Sequence, residues 1–245
     1  MTLTEKKPRL SADEEQRRLS IFDDIILKHP RMIEIEEAVT SLMAQTEAVV
    51  AGNERRRKEA DDRSYMIKEL WVLPIIGPSG STKSTSMMKV IEKINANPRN
   101  KKGEIPILFV KLDEYIRGTR QFQMRILEAY GDAAEDAISS AGKLDAPKIN
   151  KAIGNIARTR KTSVIVLDET HSVLVHDAGK IGPQMSKAIQ GLANDGIFSV
   201  VMIGTKDVKR LFKVNPELHK RVEAGSEVSM EACDIKKAED RAYFF

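Results

Sequence analysis

Eight consecutive residues, Gly77-Pro78-Ser79-Gly80-Ser81-Thr82-Lys83-Ser84, have the types and spacing needed to hold a polyphosphate. They follow an apolar run at residues 71–76 and open a stretch with helical spacing at 84–95. In that setting successive backbone N–H groups and a helix N-terminus can wrap phosphate oxygens. Lys83 is placed to meet the β- and γ-phosphates of ATP and the Ser84 hydroxyl to ligate Mg²⁺, with Thr85 next along the cradle. One position departs from G-x-x-x-x-G-K-[ST], because Thr82 stands where the second glycine belongs. A β-branched residue there restricts the loop at its closest approach to phosphate, which is compatible with binding and argues for slow turnover. Alone, the octapeptide could also be an ordinary Gly/Ser turn, the lesser alternative.

It has company. The run Val164-Ile165-Val166-Leu167 ends in Asp168-Glu169, 85 residues after Lys83. At the end of a buried strand, Asp168 can hold the hydration shell of Mg²⁺, and Glu169 can orient or deprotonate an attacking water. A further apolar run, 198–203, ends in Gly204-Thr205, which puts a hydroxyl at a strand end beside Asp168, able to sense the γ-phosphate or the water. The segment Asn215-Pro216-Glu217-Leu218-His219-Lys220-Arg221 places a cationic pair after a turn. Arg221 could complete a neighbouring subunit's site as a finger stabilising transition-state charge, with Lys220 and Arg210 as rivals. His171 and His176 are spaced i and i+5, which does not suit an HExxH zinc site, and both read as structural. Met87 and Met88 read as core filling, and Cys233 as inert.

These residues need a scaffold that brings strand ends together. Apolar runs at 71–76, 105–112, 163–167 and 198–203, with a short fifth at 227–230, alternate with helical stretches at 84–95, 121–130, 148–159, 182–194 and 207–212. Nearly unbroken apolar strands alternating with helices predict an α/β P-loop NTPase fold, a five-stranded parallel sheet flanked by helices on both faces. Residues 1–64 read as a helical, mostly polar segment. Within it, Ser11-Ala12-Asp13-Glu14 matches a capping box, Pro30 limits a first helix, and helical spacing runs from Met32 to Val50. Gly52-Asn53 is expected to end that helix, and the charge run 54–63 to form a solvated linker or helix end.

The 245 residues are 41% hydrophobic and 31% charged, enough apolar material for one full core and a small appendage. The longest apolar runs fall short of the ~20 residues of a membrane helix. The N-terminus lacks the apolar stretch of a secretory signal, and one cysteine cannot make an internal disulfide or a multi-Cys zinc site. The expectation is a soluble cytoplasmic protein. The net charge of +4 is unevenly spread: −2 over residues 1–64, +7 over 65–161 and −1 over 162–245. The excess shares its third of the chain with the phosphate loop, which suggests an anionic partner.

Taken together, the constellation resembles the AAA+ ATPases of transposition, the TniB/TnsC group, with MuB and IstB as more distant relatives. The resemblance covers roughly residues 28–235. It rests on His29-Pro30-Arg31-Met32, the phosphate loop, Leu167-Asp168-Glu169-Thr170-His171, and Met202-Ile203-Gly204-Thr205 followed by Asn215-Pro216-Glu217-Leu218 and Arg221. It implies a bacterial, mobile-element-encoded ATPase that assembles as a homo-oligomeric ring or filament on double-stranded DNA when ATP is bound. Such a protein would recruit or stimulate a transposase together with a target-selection protein, and hydrolysis, slow and regulatory, would disassemble it. It also implies that loops after the second strand track the DNA backbone, here Arg117 and Arg120, with Lys143 in a later loop. The implied division is a helical segment at 1–64, an AAA+ core at 65–235 and the start of a truncated or reduced lid at 236–245. A helicase-loader-like DNA-remodelling ATPase and a nucleotide-binding scaffold with little hydrolysis remain open alternatives.

Overall fold

The computed structural model describes residues 11, 13, 14, 17, 30–59, 66–141, 145–175, 178–222, 227–231, 234, 236 and 237. Lys143, His176, Cys233 and the expected lid residues 238–245 lie outside them, as does most of the first 29 residues.

Five parallel strands form the sheet: β1 (Val72–Ile76), β2 (Ile107–Lys111), β3 (Val164–Asp168), β4 (Ser199–Gly204) and β5 (Val228–Ser229), in the order β2-β3-β4-β1-β5. Each lies within two residues of its expected run. The helices are α1 (Pro30–Glu59), α2 (Lys83–Asn95), α3 (Thr119–Ala129), α4 (Glu135–Ala141), α5 (Ala146–Arg160), α6 (Ala178–Asn194), α7 (Lys209–Val214) and α8 (Pro216–Lys220).

Side chains alternate across the strands, and both faces are dry. Leu73 and Ile75 of β1, Val164 and Val166 of β3 and Val201 and Ile203 of β4 pack under α1 and α2, against Ile35, Val39, Met87 and Val90. Their neighbours Val72, Ile165, Leu167, Val200 and Met202 face the other way, onto Phe122, Ile126, Ile153, Met185 and Ile189. A strand buried on both faces needs no polar alternation, which is why the sequence shows continuous apolar runs. Met87 is fully buried, but Met88 points to solvent at 39% exposure and fills no core.

The expected helix end at Gly52-Asn53 is incorrect, since α1 runs through both residues to Glu59. Asn53 does not stop the helix but clips it to the sheet. Its amide donates to Lys68 O and Gly196 O, at 2.9 and 3.1 Å, and its Oδ1 accepts from Lys68 N at 2.9 Å. A buried, fully occupied amide more than offsets the modest helix propensity of Asn. The charge run after it, 54–59, is the exposed end of this helix.

Candidate functional site

All the strands point their C-terminal ends at one rim, and the loop leaving β1 there is the phosphate-binding candidate. Gly77 N donates to Gly204 O at 3.1 Å, so the loop starts beside the end of β4. A Cβ at Gly77 would sit 2.2 Å from Met230 O, which explains the glycine: the chain after β5 passes too close for a side chain. Gly80 has φ +77°. Thr82 has φ 59°, also left-handed, and its side chain makes no cap for α2. By contrast, α5 and α8 are capped by Asp145 and Asn215. The first turn of α2 therefore presents its N–H groups without a side-chain competitor, the arrangement that favours an anion.

Lys83 is 8% exposed, and its ammonium donates to Gly77 O at 3.0 Å, Pro78 O at 2.7 Å and Ser81 Oγ at 3.0 Å. Burial lowers its pKa, opposed by the charges of Glu169 and Asp168 nearby. Ser84 Oγ donates to Asp168 Oδ1 at 2.8 Å, which joins two sequence signals 84 residues apart. Asp168 is 3% exposed, and burial raises its pKa against the Ser84 hydrogen bond. A hydroxyl and a carboxylate side by side are hard oxygen donors, the set that suits Mg²⁺.

Glu169 turns out of the strand with φ 54° and reaches His171, with Oε2 3.4 Å from Nε2. The other ring nitrogen, Nδ1, accepts from Thr205 N at 3.4 Å. That acceptor role leaves the proton on Nε2, facing the carboxylate. His171 can come this close because residue 204 is glycine: a Cβ there would meet Nδ1 at 3.0 Å and Val208 at 2.6 Å. The sequence reading of His171 as merely structural missed this bridge, and its only signal was a histidine two residues beyond the acidic pair. Thr205 caps the turn after β4, with its hydroxyl 3.3 Å from Asp207 Oδ2.

The remaining expected residues fall elsewhere. Arg221 sits at the opposite strand end: its carbonyl accepts from Val72 N, a strand length from Gly77, roughly 16 Å at ~3.3 Å per residue. Its side chain is 14% exposed and pairs with Glu69. Lys220 pairs with Glu217 at 2.8 Å in solvent. Arg210, 3.9 Å from Asp207, is exposed on α7, just past Thr205 on the phosphate-loop rim. Arg117 is exposed on the loop from β2 to α3 and Arg120 is exposed in the first turn of α3, also at that rim, near Tyr115 at 70% exposure.

Thr82→Gly tests the strain at the one non-glycine residue of the loop held left-handed. Relieving a left-handed Thr is worth about 1 kcal/mol, so the variant should melt a few degrees higher at unchanged fold. A lower melting temperature would mean that the threonine side chain stabilises the loop.

Comparison with solved structures finds a similar overall fold. The Aeropyrum pernix ORC2 protein in its ADPNP–ADP complexes is similar with a TM-score of 0.51 at 13% identity, over 79% of this chain and 48% of that chain. Its ADP form gives 0.52 at 13% identity, over 78% and 48%. The chain thus spans about half the length of these structures, and the likeness is one of fold alone. No curated protein sequence matches. The family model described as "Bacterial TniB protein" matches residues 61–229, from before β1 to the end of β5, with the phosphate loop, the acidic pair and Thr205 inside it. More than half of the chain is covered, and the chain belongs to the bacterial TniB family.

Proposed function

We propose that this chain is an ATP-hydrolysing, Mg²⁺-dependent adaptor of transposition, which assembles on duplex DNA in the ATP state and engages a transposase. The observation that carries the ATPase reading is the Ser84–Asp168 hydrogen bond, which links the phosphate loop to the acidic strand end. Mg²⁺ held by that pair would neutralise charge on the β- and γ-phosphates. The amides of the 77–84 loop would cradle the phosphates, and Lys83 would exchange its loop carbonyls for phosphate oxygens. Glu169 would orient the attacking water, and Thr205, a neighbour of Gly77, would sense the γ-phosphate. Arg221 as a finger would require release of Glu69, whereas Arg210 already stands exposed on the nucleotide rim. Membership of the bacterial TniB family supports the DNA-binding part of this reading, and the A. pernix neighbours, by their printed names, are ORC proteins in nucleotide complexes.

His171 would position Glu169 by tying it to the backbone of the γ-phosphate sensor. His171→Phe keeps a ring but removes both contacts, so kcat should fall about tenfold, the worth of one hydrogen bond to a charged group, with ATP affinity within about twofold. His171→Gln, which retains a donor, should recover part of the loss. Unchanged kcat in the Phe variant would remove His171 from the mechanism.

The adaptor reading is tested by fluorescence anisotropy on duplex DNA with Mg²⁺ and either ATP, ADP or no nucleotide. Binding at least tenfold tighter with ATP is expected. Equal affinity in all three states would favour a nucleotide-independent scaffold.

A further inference from the structure

The end of the sheet opposite the phosphate loop gathers cations from three distant stretches of sequence. Residues 54–59, the end of α1, carry four cations against two carboxylates. The loop 97–104 before β2 carries three against one, and residues 158–161, closing α5, carry three against none. The fold joins them. Ile105 N donates to Arg160 O at 2.7 Å, and the Arg160 guanidinium donates to Gly103 O at 3.0 Å. On the other side, a groove of about 260 Å³ lies between Glu54 of α1 and Arg158 of α5 with Lys161 just after it, and Arg57 lines a neighbouring groove that reaches Gly196.

These cations are mostly unneutralised. Among the described residues, Arg99, Lys101, Lys102 and Lys161 make no ion pair, and all four are exposed. The nearby acids have other work: Glu104 accepts from Lys101 N, Glu47 accepts from Ser163 Oγ, and Asp195 is drawn toward its neutral form by burial against the pull of Arg158. Helix C-termini favour cations, which accounts for Arg56–Lys58 and Arg158, but not for Lys101 and Lys102, which lie well beyond the end of α2.

The excess charge of residues 65–161 shares its third of the chain with the phosphate loop, but the fold does not gather it beside that loop. The stretch 111–120 on that rim, from the last residue of β2 to the first turn of α3, holds three cations against two acids, whereas the opposite end holds the larger surplus.

We infer that this strand-N-terminal end is a second nucleic-acid surface, contacting the phosphate backbone through Arg57, Lys101, Lys102, Arg158 and Lys161. It rests on the DNA-binding reading above and deepens it. Three convergent basic segments with no aromatic among them suit backbone phosphates rather than base readout. A surface at this end leaves the nucleotide rim free, so one copy could touch DNA while its ATP site faces another partner.

The test is duplex binding by anisotropy across a salt series, comparing wild type with Lys101→Glu/Lys102→Glu/Lys161→Glu and with Arg117→Glu/Arg120→Glu, alongside phosphatidylserine vesicles. The triple variant should bind at least ~10-fold more weakly, with a shallower salt slope, each lost phosphate contact removing about 0.9 from it. If the triple variant melts lower than wild type, the same three positions changed to Gln should still flatten the slope. A triple variant that binds like wild type while the Arg117/Arg120 variant fails would overturn this surface and leave the DNA reading intact. Wild type that binds no duplex even at low salt would overturn both. Tighter binding to the vesicles than to duplex would assign the surface to a membrane instead.

Discussion

Replacing Glu169 with Gln is expected to lower ATP turnover at least ~100-fold while ATP affinity stays within about twofold. The carboxylate stands one residue beyond the acidic strand end, turned out by a left-handed backbone and met by the His171 ring. Among the described residues it makes no hydrogen bond or ion pair with the phosphate loop and acts on Lys83 only through its charge, so its loss should spare binding. Gln keeps the shape and can still accept from His171, but it cannot take a proton from water. Phosphate release under saturating ATP and Mg²⁺ measures the effect, and equilibrium titration with a fluorescent ATP analogue measures the affinity. If turnover persists at more than a tenth of wild type, the base is another group.

The second large effect is expected at Lys83. Lys83→Ala removes the ammonium that the loop folds around, and with it two or more charge-assisted hydrogen bonds to phosphate. At ~1.5–3 kcal/mol for such bonds, ATP affinity should fall at least ~30-fold. The same titration reads it directly. The contrast between the two variants is the informative part: one loses chemistry with binding intact, the other loses binding itself. Affinity within threefold of wild type for the Ala variant would mean that nucleotide does not enter by the 77–84 loop.

Most of this site was legible in the sequence because its parts are local. The 77–84 loop, the Asp168-Glu169 pair and Gly204-Thr205 each follow an apolar run, and a parallel sheet brings strand ends to one rim whatever the details of packing. The strands themselves were legible for the same reason, since burial on both faces leaves continuous apolar stretches. What was not legible depends on partners far away in the chain. Asn53 looks like a helix terminator until Lys68 and Gly196 are placed beside it. His171 gains its role from the backbone of Thr205, 34 residues on. Arg221 reads as a free cation until Glu69 closes on it. Charge placement was the least legible of all: a count along the chain located the surplus in the middle third, but only the fold shows that 54–59, 97–104 and 158–161 share one end.

The family assignment joins these pieces to a central claim, that ATP held between the 77–84 loop and Asp168 drives assembly on DNA. Sedimentation velocity of the chain with a duplex of fixed length, with Mg²⁺ and either ATP or no nucleotide, tests it most directly. A large complex that forms only with ATP and dissolves as ATP is consumed is the predicted result. The same sedimentation with and without ATP would contradict it.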